Sequence, residues 1–156
     1  MATACSGWDD FADPPAELEG TDLVGLWETS YGRYSRDRLE LRADGTFKQR
    51  YEVDTPAEEP YVFETPWNEW HLEHLSDGRV RLHLAGARYF AAGRPPKGRL
   101  WDPFAWEEVL PKRYLVLNVR VLNGFEYVLY HMWTTHDRGF SLFGGESLFF
   151  RRRDVP

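Results

Sequence analysis

Three short turns, each set between runs that alternate apolar and polar residues, constrain this chain more than any other feature. In LELRADGTFKQRY, residues 39–51, the loop Ala43-Asp44-Gly45 separates two such runs. A three-residue loop with Gly45 in the left-handed region predicts a hairpin that pairs Leu41 with Phe47 and Leu39 with Gln49. The other face then sets Glu40 against Lys48, so one side is mostly apolar and the other carries opposed charges, as in a half-buried antiparallel pair. WHLEHLSDGRVRLHL, residues 70–84, repeats the pattern at Ser76-Asp77-Gly78. It predicts the pairs Trp70 with Leu84, Leu72 with Leu82 and His74 with Val80, with Glu73 opposite Arg81 and His71 opposite His83 on the wet side.

The third turn, Asn123-Gly124 in RYLVLNVRVLNGFEYVLYHMWT, reads as a two-residue type I′ loop that places Leu122 opposite Phe125. In that register Leu115, Leu117, Val119 and Val121 face Met132, Tyr130, Val128 and Glu126. The second face carries Tyr114, Val116, Asn118, Arg120 and Leu122 against Trp133, His131, Leu129, Tyr127 and Phe125. That face has few charges, so both sides of the hairpin ask for cover. The long aromatic connection 85–112, with Tyr89, Phe90, Trp101, Phe104 and Trp106, is an element that could supply it. A last strand is expected over Glu146 to Arg153, after Gly144-Gly145.

No stretch longer than about ten residues keeps a helical apolar period, and no βαβ spacing is present. The expectation is an all-β chain, an antiparallel up-and-down β-barrel of eight or nine strands, because closure removes the exposed sheet edges. At 156 residues one core is enough: residues 21–156 read as a single barrel domain, and residues 1–20, rich in Asp, Glu and Pro, as a disordered leader or tether. A net charge of -6 without a basic patch argues against nucleic acid as a partner. No window approaches the roughly 18 apolar residues of a membrane-spanning helix.

Gly25-Leu26-Trp27 falls at the start of the first expected strand, behind a loop, with Arg151, Arg152 and Arg153 near the far end of the chain. This arrangement resembles the Gly-X-Trp signature of lipocalins and their calycin relatives. The resemblance implies a lipocalin-like barrel in which Gly25 and Trp27 mark the closed base and an arginine, assigned to Arg151, packs across the indole ring. The threonine-aspartate-tyrosine motif and the paired cysteines of secreted lipocalins are absent. Cys5, in ATACSG, resembles the end of a bacterial lipoprotein signal. It implies a lipid anchor outside the cytoplasm; without lipidation the expected place is the cytoplasm, and membrane attachment is expected only through Cys5.

No catalytic motif is spelled out. No serine has a hydrolase-elbow context, Cys5 lies in the leader, and Glu58-Glu59 and Glu107-Glu108 are adjacent pairs without the opposed geometry of a glycosidase. His71, Glu73 and His83 share a face, yet Arg81 stands opposite Glu73, so no metal and no cofactor is expected there. The candidate ligand site is the second face of the third hairpin, Tyr114, Asn118, Arg120, Tyr127, His131 and Trp133, apolar walls with a few polar groups. These residues predict a non-enzymatic protein that binds a small apolar or amphipathic molecule in a barrel cavity. The alternatives are a calycin-like enzyme acting on a small acid through His131 and Arg120, and an interaction module using the aromatic loop 85–112.

Overall fold

The computed structural model describes residues 11–90, 114–131 and 149–153. Ten strands follow in order: β1 Phe11–Ala12, β2 Gly25–Thr29, β3 Ser35–Leu41, β4 Thr46–Val53, β5 Tyr61–Glu64, β6 Asn68–His74, β7 Val80–Ala85, β8 Tyr114–Leu122, β9 Glu126–His131 and β10 Phe149–Arg153. Every pairing is antiparallel, and from β2 to β10 the wall follows chain order except that β5 and β6 both pair with β4; β10 then pairs with β2, and β1 adds to β8. That last ladder, Arg151 to Arg153 against Glu28 to Leu26, closes the sheet into an eight-stranded up-and-down barrel. β5 and β6 share one place in the wall: β5 pairs with Arg50 to Val53 of β4, and β6 with Thr46 and Phe47.

The first two hairpins have the registers that their turns predict. Leu41 pairs with Phe47 and Glu40 with Lys48; Trp70 pairs with Leu84 and Glu73 with Arg81. Alternation along β3, β4 and β7 sends Leu39, Leu41, Phe47, Leu82 and Leu84 inward, where each is at most 1% exposed. With Trp27, Leu117, Leu129 and Phe150 they fill the middle of the barrel. Interior side chains of an eight-stranded barrel are wide enough to do this.

Residues 11–20, expected in the leader, pack on the barrel instead. Phe11 and Ala12 pair with Leu122 and Val121 of β8, and Leu18 is buried in the main core. Residues 11–20 therefore belong to the barrel domain, because Phe11 and Leu18 have apolar area to bury; residues 1–10 lie outside the described residues.

The third hairpin departs from its expected register by one residue. Asn123 and Gly124 both take positive φ, 53° and 85°, and the Phe125 N–H donates to the Leu122 carbonyl at 3.3 Å. The turn chemistry is as the sequence indicated. The ladder, however, resumes with Leu122 opposite Glu126, and Phe125 is left over, 83% exposed. A slip of one residue turns every side chain of one strand to the other face. Tyr127, Leu129 and His131 therefore share the inner face with Leu117, Val119 and Val121, while Asn118 and Arg120 stand opposite Tyr130 and Val128 on the outer face. Both faces of β9 are mainly apolar, so polarity could not choose between the registers. The observed one is satisfied because Val128 and Tyr130 join Phe11, Leu122 and Phe149 in a small outer core, with the Phe11 and Tyr130 rings edge to face at 5.3 Å.

Candidate ligand site at the polar end of the barrel

The two ends of the barrel differ in chemistry. At the first end, one turn of 3-10 helix, Gly20–Leu23, leads into β2. The Trp27 indole N–H donates to the Leu23 carbonyl at 2.9 Å, and the Arg152 guanidinium lies 4.8 Å from the ring centroid while also donating to the Asp22 carbonyl. Gly25 holds a φ of +141°, and a β-carbon there would lie 3.8 Å from Arg152, so a residue with a side chain would strain the turn that brings the arginine over the ring. Leu18, Leu23 and Trp70 complete this base. The arginine is Arg152, not Arg151. Alternation along β10 decides the matter: Arg151 points outward and makes a two-pronged pair with Glu126 at 2.8 and 2.9 Å.

The opposite end gathers polar groups that are almost wholly buried. β2 ends there with Thr29, β3 brings Asp37 near its start, β4 supplies Gln49 and Tyr51, and β9 ends with His131; Asp37 and Gln49 are 0% exposed and His131 1%. Tyr31, on the loop between β2 and β3, stands between two of them. Its hydroxyl lies 2.9 Å from an Asp37 carboxyl oxygen and 2.9 Å from His131 Nε2. Gln49 donates to Asp37 at 3.1 Å and to the Arg88 carbonyl at 2.9 Å, and accepts from the Arg88 N–H at 2.8 Å. One side-chain amide thus ties the carboxyl group to the segment that follows β7.

That segment brings rings. Phe90 stacks on Tyr51 with centroids 4.1 Å apart and planes 3° from parallel, and Tyr61 and Phe63 pack around it at 6.4 and 5.2 Å. Tyr89 meets the His131 imidazole edge to face at 4.9 Å, and the Arg88 guanidinium covers the Phe63 ring at 4.6 Å. Burial shapes the protonation of this group. It lifts the Asp37 carboxyl to about 7, against the opposing pull of its bonds from Gln49 and Tyr31. It lowers His131 to about 3 and raises Tyr89 to about 12. Burial, followed by the charge of Asp37, raises Tyr31 as well. Burial thus keeps His131 uncharged near neutral pH and favours the protonated form of the Asp37 carboxyl. No ion pair involves Asp37 among the described residues.

The sequence-derived set divides between two sides of the wall. His131 and Tyr127 face the interior, and of these His131 reaches the polar end. Asn118 and Arg120 face outward; Arg120 pairs with Asp13 at 2.8 Å beside a surface depression that Asp77 and Arg79 also line. No small acid can touch Arg120 and His131 together, because they stand on opposite faces. Tyr114 pairs with Ala85 in the backbone ladder. Trp133 lies outside the described residues, as do Cys5, residues 91–112 of the aromatic loop and Glu146 to Leu148. The His71 and His83 rings stack at 4.7 Å, and His83 bonds Glu73 at 3.0 Å. Among the described residues no group of three or more His, Cys, Asp or Glu could hold a metal ion.

Sequence reasoning passed over Tyr31, Asp37, Gln49 and Arg88. A signal was present: Asp37 and Gln49 occupy inward positions of the β3 and β4 pattern, where a polar residue breaks an otherwise apolar face. Comparisons with protein-family models, with curated proteins and with solved structures find no match.

Proposed function

We propose that this chain is a calycin-like binding protein whose ligand, a small apolar or amphipathic molecule, is held at the polar end of the barrel by Tyr31, Asp37, Gln49, Tyr89 and His131. The observation that carries the reading is the placement of the buried carboxyl, amide and imidazole groups. They are concentrated at the end opposite the closed base, among the rings of Tyr51, Tyr61, Phe63 and Phe90. Burying such groups is costly, and a few polar groups on apolar walls are what orient a small ligand. The middle of the barrel is filled by side chains, so the binding region is the end of the barrel and not its centre. Gly25, Trp27 and the Arg152 guanidinium over the indole ring support kinship with the lipocalin and calycin group. Lipidation at Cys5 is the matching proposal for how the protein is anchored.

Titration with the fluorescent apolar probe N-phenyl-1-naphthylamine tests this reading. A saturable 1:1 rise in probe emission is expected. The half-buried Tyr89 is part of the wall, so Tyr89→Ala should weaken binding at least threefold. Phe125→Ser, at the far hairpin tip, should leave it unchanged. Absence of saturable binding, or binding indifferent to Tyr89→Ala, overturns the assignment.

A further inference from the structure

Tyr31 has one hydroxyl hydrogen and two neighbours that can accept it, the Asp37 carboxyl at 2.9 Å and His131 Nε2 at 2.9 Å. It cannot donate to both. When Asp37 is ionised it has no hydrogen to give, so the phenol donates to the carboxylate, and the bond to His131 requires Nε2 to carry the hydrogen and donate to the phenolic oxygen. When Asp37 is protonated, the carboxyl O–H can donate to the phenol, the phenol turns to His131, and Nε2 becomes the acceptor with the imidazole hydrogen on Nδ1. Adding one proton at Asp37 thus reverses two hydrogen bonds and changes the His131 tautomer, while the imidazole stays neutral throughout.

We propose that Asp37, Tyr31 and His131 form a proton-linked relay that reverses the hydrogen-bonding polarity of the polar end of the barrel, so that ligand capture there is coupled to uptake or release of one proton. The inference rests on the binding site assigned above and supplies its regulation. The surroundings suit such a relay. From β4 the group faces Gln49, which cannot titrate, and the Tyr51 ring. From the segment after β7 it faces the Arg88 backbone and Tyr89, with the Arg88 guanidinium turned onto Phe63. From β2 it faces Thr29, and from β10 the Phe150 ring, 5.6 Å from His131. Among these neighbours the Asp37 carboxyl is the group that burial places in the neutral range, at about 7, whereas Tyr89 is moved away from it.

The relay is read without any ligand, from the imidazole nitrogen and hydrogen shifts of His131 in a two-dimensional NMR spectrum of labelled protein between pH 5 and 9. The signal is assigned by its loss in His131→Gln. The expected result is the Nδ1–H tautomer at the acid end and the Nε2–H tautomer at the alkaline end, with a midpoint near 7. Tyr31→Phe removes the hydroxyl that links the two groups, so the tautomer should then stop following pH. Because that variant could unfold, near-ultraviolet circular dichroism checks its packing, and the wild-type titration stands by itself. A single tautomer across the range, or the same change in folded Tyr31→Phe, overturns the relay. Probe binding that persists in either case leaves the binding assignment standing, and loss of probe binding with an intact tautomer change removes the assignment alone.

Discussion

Replacing Asp37 by Asn imposes permanently the neutral form that burial favours. The amide oxygen can keep the bond from Gln49, and the amide hydrogens can donate to Tyr31 in place of the carboxyl O–H. In the wild-type chain the folded state holds the Asp37 proton up to about 7, from an ordinary value of 3.8. Between those two pH values the folded chain binds more protons than the unfolded one, so this group makes stability fall as pH rises. At about 1.36 kcal/mol per pH unit, the gap from 3.8 to about 7 amounts to roughly 4 kcal/mol. The expected advantage of Asp37→Asn therefore grows from near pH 4, by about 1.4 kcal/mol per pH unit, and levels off above pH 7. His131 works in the opposite sense, because its lowered value costs stability as pH falls below 6.5. It is present in both proteins and drops out of the difference to first order. Urea unfolding followed by tryptophan fluorescence at half-unit steps from pH 4.5 to 8.5 gives the two stability curves. A constant offset from the amide itself does not alter the slope. A difference that stays flat, or that shrinks as pH rises, would refute the claim that burial, with no cation partner among the described residues, holds the Asp37 proton.

Arg152→Ala should lower stability by about 1 to 2 kcal/mol through loss of the contact with the Trp27 ring and of the bond to Asp22. Arg151→Ala, which removes an exposed pair with Glu126, should cost less than about 1 kcal/mol; parallel urea curves separate the two, and equal losses would contradict the assignment of the base arginine. Phe125→Ser should change stability by no more than about 0.5 kcal/mol, because the register leaves that ring in solvent. A loss near the cost of a core phenylalanine, about 3 kcal/mol or more, would restore the register in which Phe125 pairs with Leu122.

Much of the wall was legible because its turns are. Gly45 and Gly78 take the positive φ that their loops demand, and two opposed-charge or polar faces fixed the registers of β3 with β4 and β6 with β7. The third hairpin was not legible at the same level. Asn123-Gly124 named the turn correctly, but the residue after it decided the register, and neither face of β9 carried enough charge to veto the other. The candidate site inherited that error, since a set drawn from one face of a mis-registered hairpin becomes a set drawn from two. His131 survived because it lies on a strand whose inner face leads to the polar end. Asp37 and Gln49 were readable as polar interruptions of inward positions, but their partnership with Tyr31 and Arg88 joins residues on different loops and strands, up to 100 positions apart for Tyr31 and His131. No local pattern carries that information. Gly25 and Trp27 were placed by their position at the start of the first expected strand, and the choice among three consecutive arginines needed only the alternation of a strand whose register was not yet known.

The ladder between β2 and β10 has a consequence for how the chain comes into being. It joins residues 123 to 127 positions apart, from Arg151 opposite Glu28 to Arg153 opposite Leu26, and the hairpins between them can form as soon as each has been synthesised. Until residues 149–153 emerge, the growing sheet is an open curl with two bare rims, one on β2 and one on β9. Those rims offer backbone hydrogen-bonding groups to any passing strand, and pairing over such a span is slow to find. Trp27 waits through all of that interval without the arginine that later covers it. The closing strand is short and ends in three cations, which keeps it from being sticky before it docks. The interval before closure is therefore when the chain is most exposed to misassembly, and the sequence that ends it also seals the base.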